Sequence, residues 1–482
     1  MIGPARIAAY HALRAIADGR TDLPAALARS RDHLDDDRDR ALAAEIVAGT
    51  LRFQRTIDHL IEQSAQRRID RLDADVLHIL RLTLYQLLHL DRVPASAAVD
   101  DAVNLVRLAH KQSATGFVNA VLRTTLRQRH RLPLPPKPDT GDRPTTQATS
   151  HDHAEPSADR AGALAYLGIT HSHPDWLVAR WHDRHGFDAT ERWVTFNNET
   201  PRITLRVNTL RGDRDTVAGE LRAASVETMP TPHAPHGLIV VAGNPLRAVD
   251  DGLLSDSPGG TGSLSGAFFV QDEASQLVSL AVAARPGERI LDLCASPGGK
   301  TLAMAGDMRD TGMLVACDVR ARRVELLTDT VETSGAACIR VAHVATSGPL
   351  PFGPVFDRVL VDAPCSGLGT IRHDPDVRWR RQEGDLVRFA VDQRLLIDRA
   401  AALVRPHGRL VYATCSSEPD ENEAVVDAFL STHNDFALVD LRVDASPHLL
   451  PVLDSRGMLR TLPFAHGLEA FFAAALVRTG AA

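Results

Sequence analysis

Cysteine, lysine and long apolar runs are all scarce in this 482-residue sequence. The five cysteines are an odd number without a Cys-x-x-Cys pair, which argues against a disulfide framework or a zinc ribbon. No apolar run approaches the roughly 20 residues of a membrane-spanning helix. Basic residues interrupt the apolar pattern at the N-terminus, which predicts an amphipathic core helix rather than a signal peptide. We therefore expect a cytoplasmic protein without a membrane partner.

Positive charge is carried almost entirely by arginine. Only Lys111, Lys137 and Lys300 are lysines among the 54 basic residues, and the formal net charge is −7. The charge is unevenly distributed, because residues 1–131 hold 20 basic and 16 acidic residues. The whole-chain charge argues against a polyanion partner, whereas this first region leaves room for a basic face.

Residues 1–131 are predicted to form an all-α bundle. Apolar residues recur at intervals of three and four in segments such as ARIAAYHALRAIADG and RALAAEIVAGTLRFQRTIDHLIEQ, with few β-rich runs between them. A break at Asp91 to Pro94 separates two of the helices. The last helix begins near Gly116 and ends in arginines, which suit the dipole at a helix C-terminus.

Two different regions follow the bundle. Residues 132–163 are rich in Pro, Thr, Asp and Ser and predict a flexible linker. His151 and His153 in this linker are interpreted as solvated, so no metal site is predicted. Residues 164–267 mix helical and alternating patterns and predict a small α+β domain. Its glycine-rich loop, 254–266, lacks a following Gly-Lys-Ser/Thr and is predicted to be a surface turn.

Residues 268–482 alternate strands and helices in the manner of a doubly wound α/β sheet. The stretch from Glu288 to Thr301, ERILDLCASPGGKT, predicts a buried strand, a tight turn of small residues and the start of a helix. Glycines let the backbone approach a ligand, and the helix N-terminus offers unpaired N–H groups, so a cofactor site is predicted here. Such turns serve nucleotides, phosphates and S-adenosylmethionine alike. The next strand ends in Asp318, at the spacing where a carboxylate meets ribose hydroxyls.

Cys365 and Cys415 follow two later strands of the predicted sheet. The carboxyl ends of such strands surround one cavity, so both cysteines should face the predicted cofactor turn. Carbon 5 of cytosine becomes nucleophilic only after a thiolate adds to carbon 6, and a base must then remove the carbon 5 proton. One cysteine would attack and the other would assist release, and the spacing leaves open which is which. Asp362 is expected to hold the edge of the base, and Lys300 to contact the ring or to orient Asp362.

Three motifs in the last region, LDLCASPGGKT, VDAPCSGLGTIRHDPDVRWRR and YATCSSEPDENEAVV, resemble the signature motifs of the RNA 5-methylcytosine methyltransferases of the RsmB/Sun family. The order of features in residues 1–131 resembles the NusB-like domain at the head of that family, so the similarity covers nearly the whole chain. The resemblance implies a NusB-like RNA-binding domain (1–131), a small α+β RNA-positioning domain (164–267) and a Rossmann-like S-adenosylmethionine-dependent methyltransferase domain (268–482).

The resemblance also implies roles for individual residues. In this family the cysteine of the Thr-Cys-Ser motif is the nucleophile and the cysteine of the Pro-Cys-Ser motif assists release, which assigns Cys415 and Cys365 respectively. Asp362 and Lys300 complete the implied catalytic set. The residues implied to bind S-adenosylmethionine are Cys294, Ala295, Ser296, Pro297, Gly298, Gly299, Lys300, Asp318 and Asp362.

Two further features of the chain bear on the resemblance. Arg206 and Asn208 match an Arg-x-Asn strand of the small domain, which in the family helps to hold RNA. The family usually places an acid near the adenine of the cofactor, and this chain has His343 and Val344 there instead. A neighbouring group has to replace that contact, or cofactor binding is weaker.

These observations predict S-adenosylmethionine-dependent methylation of carbon 5 of a cytidine in small-subunit (16S) ribosomal RNA by a monomeric enzyme. The target base has to leave its stack to reach the cavity, so single-stranded or loop RNA is the expected form. One alternative is the same chemistry on transfer RNA. Another is a non-catalytic NusB-like RNA-binding or antitermination factor. A nicotinamide-dependent oxidoreductase is more distant, because the cofactor turn lacks Gly-x-Gly-x-x-Gly.

Overall fold

The computed structural model describes residues 2–138, 157–250, 264–444 and 446–480. The chain divides into two compact units, one of residues 1–200 with 371–383, and one of residues 201–370 with 384–482. The interior of the predicted linker, with its two histidines, and most of the predicted glycine-rich turn lie outside the described residues. None of the described helices is long and apolar enough to cross a membrane.

The first unit is helical, which confirms the all-α prediction for the N-terminal region. Its α-helices are Pro4–Ala17, Leu23–Asp32, Asp37–Arg52, Gln54–Ala65, Ala74–His89, Ala95–Leu108, Thr115–Arg127, Ser157–Ala165, Asp175–Asn198 and Val377–Arg380. The apolar positions spaced three and four apart meet in one core, with Ile46, Ile57 and Ile79 fully buried. The long helix Asp175–Asn198 is interrupted at Gly186, whose φ of 77° favours glycine.

The apolar run RALAAEIVAGTLRFQRTIDHLIEQ forms two helices rather than one. The break falls at Phe53, whose φ of −105° and ψ of 16° leave the helical region. The Phe53 ring stacks on His89, with the ring centroids 4.1 Å apart. Both helices bury residues in the same core, so the apolar spacing continues through the break and does not reveal it.

A segment from late in the chain belongs to the helical unit. It comprises residues 371–383. The guanidinium of Arg378 is fully buried there, and the indole N–H of Trp379 donates to the carbonyl oxygen of Leu51 at 2.7 Å. The first unit therefore includes residues that lie more than 170 positions beyond its last long helix in sequence.

The second unit begins with a small antiparallel sheet. Its strands are β1 (Thr204–Val207), β2 (Glu227–Pro230), β3 (Gly237–Ala242) and β4 (Phe268–Val270). The strand order is β2-β3-β1-β4, and the helices Arg214–Ala223 and Pro245–Asp250 accompany the sheet. Leu205 and Val207 of the central strand β1 pack with Val217 and Leu221 of the first helix, which confirms the small α+β region.

The larger sheet of the second unit has eight strands. They are β5 (Arg289–Asp292), β6 (Met313–Asp318), β7 (Ile339–His343), β8 (Phe356–Asp362), β9 (Val404–Thr414), β10 (Phe436–Val439), β11 (Leu459–Arg460) and β12 (Phe472–Arg478). The order is β10-β12-β9-β8-β5-β6-β7, with β11 paired to β12. Strands β5 to β9 run parallel, whereas β12 is antiparallel to β9 and to β10.

Helices cover both faces of this sheet, which confirms the doubly wound prediction. They are Glu273–Val282, Gly299–Asp307, Ala321–Ser334, Asp385–Ala401, Glu423–Thr432, Leu441–Asp444 and Pro463–His466. Consecutive residues of β5, Ile290 and Leu291, enter two different cores because strand side chains alternate between faces.

The strand order reverses between β5 and β8. The chain runs from β5 outward to β7 and then returns to β8 on the other side of β5. Ligands in open α/β sheets bind at the carboxyl ends of strands at such a point. Asp292 ends β5 and Asp362 ends β8, so this edge of the sheet carries two carboxylates before any loop is considered.

Candidate active site

A tight turn follows β5 and leads into the helix Gly299–Asp307. The backbone N–H of Ala295 donates to the carbonyl of Cys317 at 2.8 Å, which ties the turn to β6. Gly298 precedes the helix with a φ of 109°, a conformation that favours glycine. A Cβ at Gly298 would also lie 3.1 Å from a methyl carbon of Leu327, so this position leaves little space for a side chain.

The turn borders a cavity of about 260 Å³. All of the residues predicted to bind the cofactor line this cavity, except Gly298 and Asp318. The small sheet contributes Phe269, and Gln271 follows from just beyond β4. The cavity wall therefore combines the strand end of the large sheet with the edge strand of the small one.

Asp318 lies outside that wall and interacts with the start of the next helix. Its side chain is 4% exposed, and Oδ1 accepts a hydrogen bond from the backbone N–H of Arg320 at 3.1 Å. A weaker contact of 3.8 Å joins Oδ2 to the guanidinium of Arg323. The predicted contact of Asp318 with a ribose stays a prediction.

The departure from the family pattern at His343 is visible at the end of β7. The His343 side chain is exposed, and Nε2 donates to the backbone carbonyl of Val319 at 3.1 Å. Val344 is buried in the core. Neither residue supplies a carboxylate at this strand end.

Lys300 and Asp362 meet at the floor of the cavity. The Lys300 ammonium lies 2.6 Å from Oδ2 of Asp362 and 5.6 Å from the centroid of the Phe471 ring. Burial opposes ionisation of Lys300, but the ion pair with Asp362 outweighs burial, and the pKa of Lys300 is raised. The ammonium is therefore a fixed positive charge at neutral pH.

The two predicted catalytic cysteines are adjacent. The Sγ atoms of Cys365 and Cys415 are 3.1 Å apart, and both residues are partly exposed free thiols. They are adjacent because Cys365 follows β8 and Cys415 follows β9, and these two strands are parallel neighbours in the sheet. The hydrogen bond with Cys415, burial and the nearby Glu421 carboxylate raise the pKa of the Cys365 thiol well above its usual value.

Asp292 is a site residue that the sequence reasoning missed. It is 1% exposed, and Oδ2 accepts a hydrogen bond from the Thr301 hydroxyl at 2.7 Å. Oδ1 has no hydrogen-bond partner among the described residues, and Asp292 lines the cavity. Burial raises the pKa of this carboxyl to about 7, although the Thr301 hydrogen bond opposes the shift. The sequence does point to Asp292, because this residue lies within the LDLC part of the first motif.

Glu421 is a second missed residue. It is completely buried six positions after Cys415 and accepts hydrogen bonds from the loop that contains Cys365. The motif YATCSSEPDENEAVV contains this glutamate, but nothing in its spacing indicates that it contacts the other cysteine loop.

Arg206 and Asn208, which match the Arg-x-Asn strand of a domain that helps to hold RNA in the family, are buried against protein. Arg206 is 4% exposed, and its Nε donates to Oε1 of Gln271 at 2.7 Å. Asn208 is 1% exposed and donates to the carbonyls of Gly266 and Ser334. Neither side chain presents a surface to RNA, since both join the small sheet to the larger domain.

The fold and the site together define a doubly wound methyltransferase domain, preceded by a ferredoxin-like sheet and a helical domain. Residues 279–477 match the family described as 16S rRNA methyltransferase RsmB/F. Residues 4–127 match the NusB family, and residues 173–247 match the ferredoxin-like domain of RsmF/B-like methyltransferases.

Whole-chain relatives agree with these matches. The chain is 31% identical over 451 residues to the Bacillus subtilis protein named probable ribosomal RNA small subunit methyltransferase B, covering 92% of each chain. It is 30% identical to the ribosomal RNA small subunit methyltransferase B of Pseudomonas putida, covering 99% of each. The crystal structure of PH0851 has 26% identity and a TM-score of 0.73, with 99% of each chain covered. NSun6 from Pyrococcus horikoshii shares the fold at 19% identity, with a TM-score of 0.53 over 64% of this chain and 99% of that one.

The chain belongs to the RsmB/F family of 16S rRNA methyltransferases. It is an S-adenosylmethionine-dependent RNA (cytosine-5-)-methyltransferase with an N-terminal NusB domain. The predicted family, fold class and enzyme class are confirmed. The oxidoreductase and non-catalytic alternatives do not fit this family.

Proposed function

We propose that this enzyme methylates carbon 5 of a cytidine in small-subunit ribosomal RNA through a covalent bond between Cys415 and carbon 6. The observation that carries the proposal is the 3.1 Å separation of the Cys365 and Cys415 sulfur atoms, beside the Lys300–Asp362 ion pair. The names of the relatives, which are small-subunit methyltransferases, support the RNA class. A cytoplasmic location and a monomeric state belong to the same proposal.

The cavity suits S-adenosylmethionine. Gly299 lines the cavity without a side chain, and the unpartnered Oδ1 of Asp292 offers a buried acceptor to a cationic or N–H group. Cys294 to Lys300, without Gly298, and Asp362 line the same cavity and would hold the cofactor together with Asp292. When bound, S-adenosylmethionine supplies the electrophilic methyl group.

The residues of the chain account for the chemistry of the base. The Cys415 thiolate forms a bond to carbon 6, and the displaced electron pair makes carbon 5 nucleophilic. Asp362 holds the amidine edge of the cytosine and favours the protonated form of the cytosine ring. Lys300 keeps Asp362 in place through the 2.6 Å ion pair.

Release reverses the addition. A base removes the proton from carbon 5, the carbon–sulfur bond breaks, and its electron pair returns to Cys415 as a thiolate. Cys365 keeps its proton because its pKa is raised, so its S–H can donate a hydrogen bond to the departing sulfur 3.1 Å away. Without that donor the departing thiolate is less stabilised, and the covalent complex persists.

The test is denaturing electrophoresis after incubation with S-adenosylmethionine and small-subunit ribosomal RNA. Cys365→Ala is expected to give a slow-migrating protein–RNA band, and Cys415→Ala is expected to give none. Cys338→Ala is the matched control, because Cys338 is a buried cysteine outside the site and should behave like the unaltered enzyme. A band from Cys415→Ala alone would exchange the roles, and no band from either variant would overturn the covalent mechanism.

The RNA class is tested in the same reactions with labelled S-adenosylmethionine. The methyl group is expected to enter small-subunit ribosomal RNA at carbon 5 of cytidine, as identified by nucleoside mass spectrometry. Incorporation into transfer RNA and not into ribosomal RNA would overturn the proposed substrate and leave the mechanism intact.

A further inference from the structure

Glu421 is a buried carboxylate that contacts both cysteine loops. Its Oε1 accepts hydrogen bonds from the backbone N–H of Ser366 at 2.8 Å and from Nε2 of Gln393 at 3.0 Å. Its Oε2 accepts from the hydroxyl groups of Ser366 and Ser416, each at 2.5 Å. Four donors therefore converge on one side chain that is 0% exposed.

The two serines place this carboxylate next to the reacting thiols. Ser366 directly follows Cys365 and Ser416 directly follows Cys415, and the two hydroxyl oxygens are 3.2 Å apart. The loops are also joined in the backbone, because the N–H of Gly369 donates to the carbonyl of Cys415 at 3.0 Å. The sulfur pair and the serine pair thus connect the same two loops.

A buried carboxylate is costly unless every oxygen is satisfied. Within the described part of the chain, no ion pair joins Glu421 to a Lys, Arg or His, so both of its oxygens are satisfied by these hydrogen bonds alone. Hydrogen bonds to an ionised acceptor are short and strong, and they hold their donors in a defined geometry. Removing the carboxylate would leave two hydroxyl groups, one backbone N–H and one side-chain amide N–H to find other partners.

We propose that Glu421 is a positioning residue for release of the methylated base. It acts by holding the Cys365 loop against the Cys415 loop, so that the thiol of Cys365 stays next to the sulfur that must leave. The inference rests on the proposed covalent mechanism, in which Cys365 assists release. Gln393, Ser366 and Ser416 are the donors through which Glu421 acts.

Glu421→Gln tests the inference with little change in side-chain volume. The amide keeps one acceptor oxygen, but it presents an NH₂ group to hydroxyl groups that need an acceptor. Turnover is expected to fall on the order of 100-fold, as misplacement of a reacting group by about 1 Å does. The covalent protein–RNA band should accumulate although Cys365 is intact, while the affinities for S-adenosylmethionine and RNA stay unchanged.

A double-variant comparison separates positioning from a general loss of structure. If Glu421 acts through Cys365, adding Glu421→Gln to Cys365→Ala should change turnover less than 2-fold, since the group that it positions is already gone. Glu273→Gln is the matched control, because Glu273 is also buried and accepts backbone N–H groups, from His233 and Ala234, away from the cysteines. That control should not accumulate the covalent band.

Whether the two sulfur atoms stay close together can be tested without the methylation reaction, from the rate at which they form a disulfide. Diamide, an azo oxidant, converts two neighbouring thiols to a disulfide and is itself reduced to the hydrazine. In the unaltered enzyme Cys365 and Cys415 should form the disulfide quickly, and Glu421→Ala should slow this step about 10-fold, as read by peptide mass spectrometry. Equal rates in both proteins would overturn the inference.

The outcomes also distinguish this inference from the mechanism on which it rests. A covalent band from Cys365→Ala together with normal turnover of Glu421→Gln would overturn the role of Glu421 and leave the mechanism standing. No covalent band from Cys365→Ala would overturn the mechanism itself, and the diamide rates would then still report whether Glu421 holds the two loops together.

Discussion

Nζ of Lys300 lies 2.6 Å from Oδ2 of Asp362, and the two side chains are only 12% and 28% exposed. Lys300 lies in the first turn of the helix after β5, and Asp362 ends β8, the strand next to β5 in the sheet. The strand order therefore brings together two residues that are 62 positions apart in sequence. The pair fixes a positive charge beside the cysteine that is proposed to attack.

Replacing Lys300 is expected to slow methyl transfer. In Lys300→Met the rate should fall about 100- to 1,000-fold, the loss seen when one preorganised charge partner is removed from an active site. Lys300→Arg should not restore the rate, because a planar guanidinium needs more space than a compact ammonium. Single-turnover methylation measures both variants. Lys111→Met, which removes a lysine paired with Asp73 on the surface of the helical unit, should leave the rate unchanged.

A normal rate for Lys300→Met would show that the ion pair has only a structural role. Thermal unfolding of the same variant separates the two cases. A structural role lowers the melting temperature without changing the rate of the folded enzyme.

Asp292 predicts a pH dependence of stability. Its pKa is raised from an ordinary value of 3.8 to about 7, so between these values the folded chain holds a proton that the unfolded chain has released. Its contribution to the free energy of unfolding is present at low pH and is lost as the pH rises toward 7. Asp292→Asn is uncharged at every pH. Its stability relative to the unaltered protein should therefore rise by roughly 3 kcal/mol between pH 5 and pH 8, as measured by urea unfolding.

Asp310→Asn is the control for this experiment. The N–H groups of Ala337 and Cys338 donate to Asp310, and although burial opposes them, the pKa of this carboxyl is lowered. Its effect on stability should therefore not change between pH 5 and pH 8. A flat difference for Asp292→Asn would mean that Asp292 is ionised across this range.

Patterns along the chain predicted most elements of the fold, because helices and strands bury residues at fixed intervals. The cofactor turn was also predicted from local sequence, because a run of small residues, Pro and Gly between a strand and a helix is typical of a tight turn. The burial of Arg206 could not be predicted in this way. Side chains alternate between the two faces of a strand, so Arg206 points away from the side on which Leu205 and Val207 are buried. Because β1 is buried on both faces, Arg206 is buried as well.

The residues that the sequence reasoning missed interact over long separations in sequence. Glu421 accepts a hydrogen bond from Ser366, 55 positions away, and Arg378 donates to Ser172, 206 positions away. Such contacts follow from strand order and chain return rather than from local spacing. Asp292 differs from these residues, because the sequence already placed it at the end of a strand. Only the absence of a hydrogen-bond partner for its Oδ1 among the described residues needed the structure.

Arg206 is expected to affect the cofactor rather than RNA. It donates to Gln271, whose amide lines the cavity beside Gly299. In Arg206→Lys that hydrogen bond is lost, and the Kd for S-adenosylmethionine should rise about 10-fold, as expected for loss of one charged hydrogen bond. Titration calorimetry measures this affinity, and filter binding measures RNA affinity, which should stay unchanged. Weaker RNA binding with normal cofactor binding would contradict the buried geometry.

Arg222→Lys is the matched control, because Arg222 is exposed on the helix Arg214–Ala223 of the same small domain. It should leave the Kd for S-adenosylmethionine unchanged. A similar loss in both variants would indicate general damage to the small domain.

Arg378 is expected to be a main determinant of the stability of the helical unit. Its buried guanidinium donates to the carbonyls of Arg52, Ser172 and Asn197 and to the side-chain oxygen of Asn198. Arg378→Met removes every one of these donors and should lower the free energy of unfolding by about 3 kcal/mol. Arg378→Lys should recover little, because a single ammonium cannot reach acceptors arranged around a planar fork.

Tryptophan fluorescence during urea unfolding measures this loss in the full chain. All four tryptophans, Trp176, Trp181, Trp193 and Trp379, belong to the helical unit, so their signal reports on that unit alone. Arg68→Met is the control, because the Arg68 side chain is 76% exposed and its ion pair with Asp70 contributes little. Equal midpoints for Arg378→Met and Arg68→Met would mean that residues 371–383 do not stabilise the helical unit.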